Sequence, residues 1–199
     1  METLQRIEDH FHRHLEGTMQ AMEGCGPMLV EAGGRLVQTL LTDNKIIACG
    51  EGGAALLAQH FATILLNKYR RERPGLPALA LSTDAAALTA IAATSHYHDI
   101  FAKPLRALGQ PGDLLLLIDH GSGGGSALQT VQAAHDREMA VMILGPAGHS
   151  DLRALLGPED IELALPTEDR ILFFELALPV LHCLCKLVDD QLFGIEDPT

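Results

Sequence analysis

Basic residues are scarce. The 199-residue chain carries 14 Lys and Arg against 26 Asp and Glu, a formal net charge of −12. Non-specific nucleic-acid binding needs a positive footprint, so direct binding to DNA is not expected. A basic region of a protein partner suits this surface better. Long apolar runs are also lacking: none approaches the roughly 20 residues of a membrane span. The opening METLQRIEDHFHRH is charged and has no apolar centre of the kind that marks a secretion signal. The reading is a cytoplasmic protein without a membrane partner. Cysteine is sparse, at four residues. Cys183 and Cys185 stand two apart on an expected helix and point to nearly opposite sides, which excludes them as a disulfide or metal pair. Buried, reduced thiols are expected. No internal repeat or low-complexity linker divides the chain, and its length fits one domain, 1–199, with a substantial core.

Hydrophobic residues make up 47% of the chain, which places it among globular rather than disordered sequences. Leu4, Ile7, Phe11, Leu15 and Met19 recur at three- and four-residue steps and predict an amphipathic helix over 3–23. A second helix is expected from Met28 to Leu41, where Gly33 and Gly34 permit close packing. Both precede any strand, and an apolar partner on another subunit is expected for one of them; residues 1–42 are read as an oligomerisation segment. From Lys45 short apolar strands alternate with helices. The strands are expected at Lys45–Cys49, Pro77–Leu81, Asp113–Ile118, Met139–Leu144 and Ile161–Leu165. The helices between them are expected at Ala54–Asn67, Ala86–Thr94, Ile100–Leu108 and Ser126–Arg137. A last helix, Glu168–Leu192, is kinked or interrupted at Pro179. This alternation argues for a parallel sheet covered on both faces, a three-layer α/β/α core over 43–193 with a short tail at 194–199.

The segment KIIACGEGGAALLAQHF, residues 45–61, is strand, Gly-rich turn and helix start. Such a turn presents backbone N–H groups to a ligand, usually an anion. Here the turn Gly50-Glu51-Gly52-Gly53 contains an anion of its own, Glu51. The run 121–125 is also Gly-rich, but no Gly-Lys-Ser/Thr follows it, so it is not a P-loop.

CGEGGAALLAQHFATILLNKYRRERPGLPAL resembles the CGNGGS…HF…RPxLPA segment of sugar isomerase (SIS) domains of the phosphoheptose isomerase type. IFAKPLRALGQPGDLLLLI is similar to that family's approach to its third strand, and LHCLCKLVDDQLF to its final helix. The resemblance is nearest to the branch containing the DnaA initiator-associating factor, which lacks isomerase function. It implies a flavodoxin-like five-stranded parallel sheet, two leading helices and a homotetramer. It also implies a ligand pocket at Gly50, Glu51, Gly52, Gly53, Ala54, Asp84, Asp119, His120, Gly121, Ser122, Gly123 and Gly124.

Carried over position by position, the resemblance also shows departures. Ala54 stands where active isomerases have a phosphate-binding Ser. Their phosphate loop STSGNS is matched by Asp119, His120, Gly121, Ser122, Gly123 and Gly124, which leaves Ser122 and Ser126 as hydroxyl donors out of register. Asp119 places a carboxylate where a dianion would sit. Like charges about 4 Å apart repel by roughly 4 kcal/mol at an effective dielectric near 20, more than the roughly 0.5–1.5 kcal/mol of an ordinary hydrogen bond. His60 and His182 match the family's two histidines, but Ile64 replaces its Glu and Phe174 its Gln. Proton transfer beside a carbonyl needs a base within reach, and two histidines fall short of the three protein ligands usual for catalytic zinc. No cofactor is expected, zinc being the ion for which His60 and His182 are remnant ligands. Two further groupings are weighed: His10 with His14, four apart on one helix face, and Glu51 and Asp119 with His96, His98 and His120 as a rebuilt cation site. For both, solvated side chains are the plainer reading.

The resulting expectation is a non-catalytic SIS-domain homotetramer that docks a protein partner, by resemblance DnaA, through Leu192 and Phe193. The alternatives are a sedoheptulose 7-phosphate isomerase and a sensor of a sugar derivative.

Overall fold

The computed structural model describes residues 2–121, 124–148 and 150–195. Ser122, Gly123 and the tail from 196 onward, named above, lie outside them. The sheet is five-stranded and wholly parallel, in the order β2-β1-β3-β4-β5. The strands are β1 (Ile46–Gly50), β2 (Ala78–Ala80), β3 (Leu114–Ile118), β4 (Ala140–Pro146) and β5 (Ile161–Leu165). All five expected strands form, each within two residues of its expected ends. Alternation along each strand feeds two separate cores. Ile46, Ala48, Leu114, Leu116, Ile118, Met142 and Leu144 enter one cluster. Ile47, Cys49, Leu115, Leu117, Val141 and Ile143 enter the other. Both faces are therefore covered, which explains the near-continuous apolar strand sequences.

The first core is closed by α1 (Glu2–Leu41), α2 (Gly53–Leu66) and α7 (Arg170–Phe193). The second is closed by α4 (Ala102–Leu108) and α5 (Gly125–Asp136), with α3 (Ala85–Thr94) and the four-residue α6 (Ser150–Arg153) at its margin.

Two expectations about helices change. The leading segment is one continuous 40-residue helix rather than two, and it runs through Pro27. Proline costs about 3 kcal/mol in a helix interior. Here packing on both sides of it wins: Ala21, Cys25, Ala32 and Leu36 are all buried, and the Cys25 thiol donates to the Ala164 carbonyl at 3.0 Å. Gly33 permits the close approach to α7, since a Cβ there would lie 3.0 Å from Leu187. Likewise α7 continues through Pro179 without interruption. By length and composition α7 is apolar enough to cross a membrane, contrary to the reading that no such run exists. It packs instead as a core helix, with Phe173, Leu176, Leu181, Leu184 and Val188 buried.

The first half of α1 is different. From Glu2 to Glu16 no side chain is buried. The predicted stripe of Leu4, Ile7, Phe11, Leu15 and Met19 is 50–62% exposed. His10 and His14, read as solvent-facing, both turn to Glu175 of α7, at 3.4 and 3.3 Å.

Candidate functional site

Because β1 has β2 on one side and β3 on the other, the chain changes winding direction between β1 and β3. Open α/β sheets bind ligands at the carboxyl ends of the strands flanking such a switch point. Here Gly50 pairs in register with Ile118, so Glu51 and Asp119 leave adjacent strand ends, as expected. Gly50 is required by close packing: a Cβ would meet the Ala54 Cβ and the Ile118 carbonyl oxygen at 2.7 Å. Gly52 caps α2 at φ 57°, ψ −122°, a conformation open in practice to glycine.

The puzzle of an anion in an anion-binding turn resolves at α5. Ser126, in the first turn of that helix, donates its hydroxyl to Glu51 Oε1, and the Tyr97 hydroxyl donates to Oε2 at 3.2 Å. A helix N-terminus attracts negative charge, and the chain supplies that charge itself. The carboxylate and burial together raise the Tyr97 phenol above its ordinary value, burial being the larger cause. Asp119 is 5% exposed. Among the described residues, the space enclosed by Glu51, Asp119, Ser126 and their neighbours is about 10 Å3, no more than one water needs.

Phe174 fills the other side of the crevice. A Cβ on Gly53 would lie 2.9 Å from its ring, so the tip of the ring rests directly on the start of α2. The His120 ring centroid is 5.6 Å from that of Phe174, and the Arg170 guanidinium lies 6.0 Å above the Phe174 ring. His120 thus joins Phe174. His98 packs on Gly125, where a Cβ would come within 2.9 Å of its ring. Ala54 is buried beneath the turn. Asp84 is exposed and caps α3, accepting from the Ala87 N–H at 2.8 Å. Gly121 and Gly124 flank the loop residues outside the described set.

His60 and His182 meet within one chain, Nε2 to Nε2 at 2.9 Å. One ring must donate and the other accept. Desolvation, then the neighbouring His60 and Arg70, hold the His182 imidazolium below its ordinary range. Tyr69 lies against the His182 ring at 5.5 Å. Ile64 is 9% exposed and belongs to the core. Among the described residues, no group of three or more His, Cys, Asp or Glu is placed to hold a metal ion.

At the far end of α7, Leu192 and Phe193 are half-buried against the first core. The Arg71 and Arg73 guanidinium groups stand 5.9 and 6.0 Å from the Phe193 ring. Tyr97 and Arg170 escape sequence reasoning. Tyr97 was one polar residue among His96 and His98, and nothing in its spacing ties it to Glu51. Arg170 opens α7 after the last strand, and no local spacing ties it to the Gly-rich turn.

A three-layer sheet with a Gly-rich turn at its switch point defines the class, and the SIS-domain family model matches residues 10–145. The chain belongs to the SIS-domain family. Within it, the chain is 44% identical over 194 residues to phosphoheptose isomerase of Chromohalobacter salexigens, with 98% of each chain covered. Its fold matches the solved phosphoheptose isomerase of Francisella tularensis at TM-score 0.90 and 34% identity, covering 96% of this chain and 100% of that one. The Neisseria gonorrhoeae phosphoheptose isomerase structure matches at TM-score 0.88 and 32% identity, covering 94% and 99%.

Proposed function

We propose that this chain is a SIS-domain protein that does not carry out the isomerisation for which its relatives are named, and that it works in the cytoplasm as a homotetrameric docking scaffold. The observation that carries this reading is the filled crevice. Glu51 sits at the α5 N-terminus where a phosphate would be held, Phe174 covers the α2 N-terminus, and Ile64 offers no base. A positioned acid or base typically contributes 10²–10⁴-fold to rate. The partner that the sequence resemblance suggests is the replication initiator DnaA, docked through Leu192 and Phe193. The exposed apolar stripe of α1 supports assembly, and several copies of one weak patch gain avidity when they engage together.

A rival reading, phosphoheptose isomerase, is favoured by the relatives' names at 41–44% identity over nearly the full chain. Arg170 beside the Gly-rich turn supplies it with a cation. The deciding experiment measures turnover of sedoheptulose 7-phosphate by the purified protein, beside a phosphoheptose isomerase from a relative. Less than a thousandth of the relative's kcat/KM is expected. A rate within tenfold would overturn the scaffold reading and establish the enzyme. In parallel, binding to the DnaA of the same organism should weaken sharply in Leu192→Ala/Phe193→Ala while both proteins keep their oligomeric state. No binding by the intact parent removes DnaA as the partner.

A further inference from the structure

At the opposite end of the sheet from the crevice, between the last turns of α1, the start of β4 and the loop before β5, lies a cavity of about 530 Å3. That volume falls within the range of small-molecule sites, roughly 300–1,000 Å3.

The cavity offers acceptors. Asp160, with its side chain 4% exposed, accepts from the Val141 and Gly157 N–H groups at 2.7 Å and from His135 Nε2 at 2.8 Å. A carboxylate so placed only accepts, so the proton of a neutral His135 ring is on Nε2 and Nδ1 keeps its lone pair. Thr39 lines the cavity at 5% exposure, and among the described residues no hydrogen bond reaches its hydroxyl. A hydroxyl left open to the cavity can bond a ligand in place of water. The exposed Glu138 carboxylate also lines the cavity and has no partner among the described residues. The wall does contain a cation, Arg35, but Glu159 already neutralises it at 2.6 Å. Met139 and Leu155 add apolar surface.

The lining carries the carboxylates of Glu138, Glu159 and Asp160 against one guanidinium, Arg35, and that excess of negative charge beside apolar wall fits a protonated amine on a short aliphatic chain. We propose that this cavity binds a small organic cation bearing a primary ammonium group, held by Glu138, Thr39 and the free nitrogen of His135. The proposal is independent of the reading of the crevice.

The test is isothermal titration of the full-length protein with putrescine and with spermidine at matched ionic strength, with inorganic phosphate as an anionic comparison. Saturable binding at one site per chain is expected for an amine and none for phosphate. Glu138→Gln should weaken it ten- to a hundredfold, as loss of a charge-assisted contact implies. Thr39→Val, which keeps the shape, should weaken it severalfold. Glu8→Gln, on the exposed start of α1, should leave it unchanged. Thermal melts establish that each variant is folded. The proposal is overturned if neither amine binds saturably. It is also overturned if Glu8→Gln weakens binding as much as Glu138→Gln, which would mark a diffuse response to the acidic surface, or if both cavity variants bind as the parent does.

Discussion

Glu51 acts as a ligand that belongs to the chain. Its carboxylate is held by two hydroxyls, one of them in the first turn of a 12-residue helix. Removing it should expose those donors to an outside anion. In Glu51→Ala, inorganic phosphate at ten times its Kd should add about 1.4 kcal/mol, roughly 3–6 °C in Tm for a domain of this size. The parent should not respond. Equal response of parent and variant in a thermal melt would mean that Glu51 does not occupy the anion site. Apolar runs put Glu51 and Asp119 at strand ends and the SIS-domain resemblance put both in one pocket, while the direct pairing of β1 with β3 is seen in the sheet order. It did not show what Glu51 would bond to. Tyr97 lies in a 3-10 turn, Tyr97–Asp99, between two short helices, and no periodicity points its side chain anywhere.

The segment between α2 and β2 is fastened by one arginine. Arg73 is 1% exposed at its side chain and pairs with Asp189 of α7 at 2.6 Å. Its guanidinium also donates to the carbonyls of Leu65, Pro74 and Ile64 at 2.8–3.0 Å. Gly75 follows because a Cβ there would lie 2.3 Å from the Leu66 carbonyl oxygen. Deleting one member of a buried pair leaves an uncompensated charge and costs about 3–5 kcal/mol. Arg73→Met should therefore lower urea stability by that amount, and Asp189→Leu added to it should restore part of the loss. Strict additivity of the two would show that they are not coupled. The sequence identified RERPGLPAL as a turn but gave no sign of this anchor, since its partner lies 116 positions away. The helices show the same limit. GCGP at 24–27 reads as a break by local propensity, yet α1 passes through it because burial against α7 and β5 outweighs the cost of Pro27. The strands, whose signal is a continuous apolar run, were legible almost to the residue.

The proposed assembly would rest on the outer half of α1. A helix of 40 residues is about 60 Å long at 1.5 Å per residue, and its first turns carry an apolar stripe that this chain leaves uncovered. Exposed stripes of this kind mark interaction surfaces. If the proposed tetramer forms through this stripe, Phe11→Asp/Leu15→Asp should convert it to a smaller species in sedimentation velocity while leaving the circular dichroism of the fold unchanged. A mass identical to the parent's would place the interface elsewhere. The tethered carboxylate of Glu51 has one more consequence, for the protein's relation to its surroundings. A group attached to the chain is present at a fixed and high effective concentration, whatever the cell's supply of phosphorylated sugars. On the scaffold reading, an outside anion at metabolite levels would compete poorly with it, and Glu51 in its seat would shield the crevice from changes in that supply.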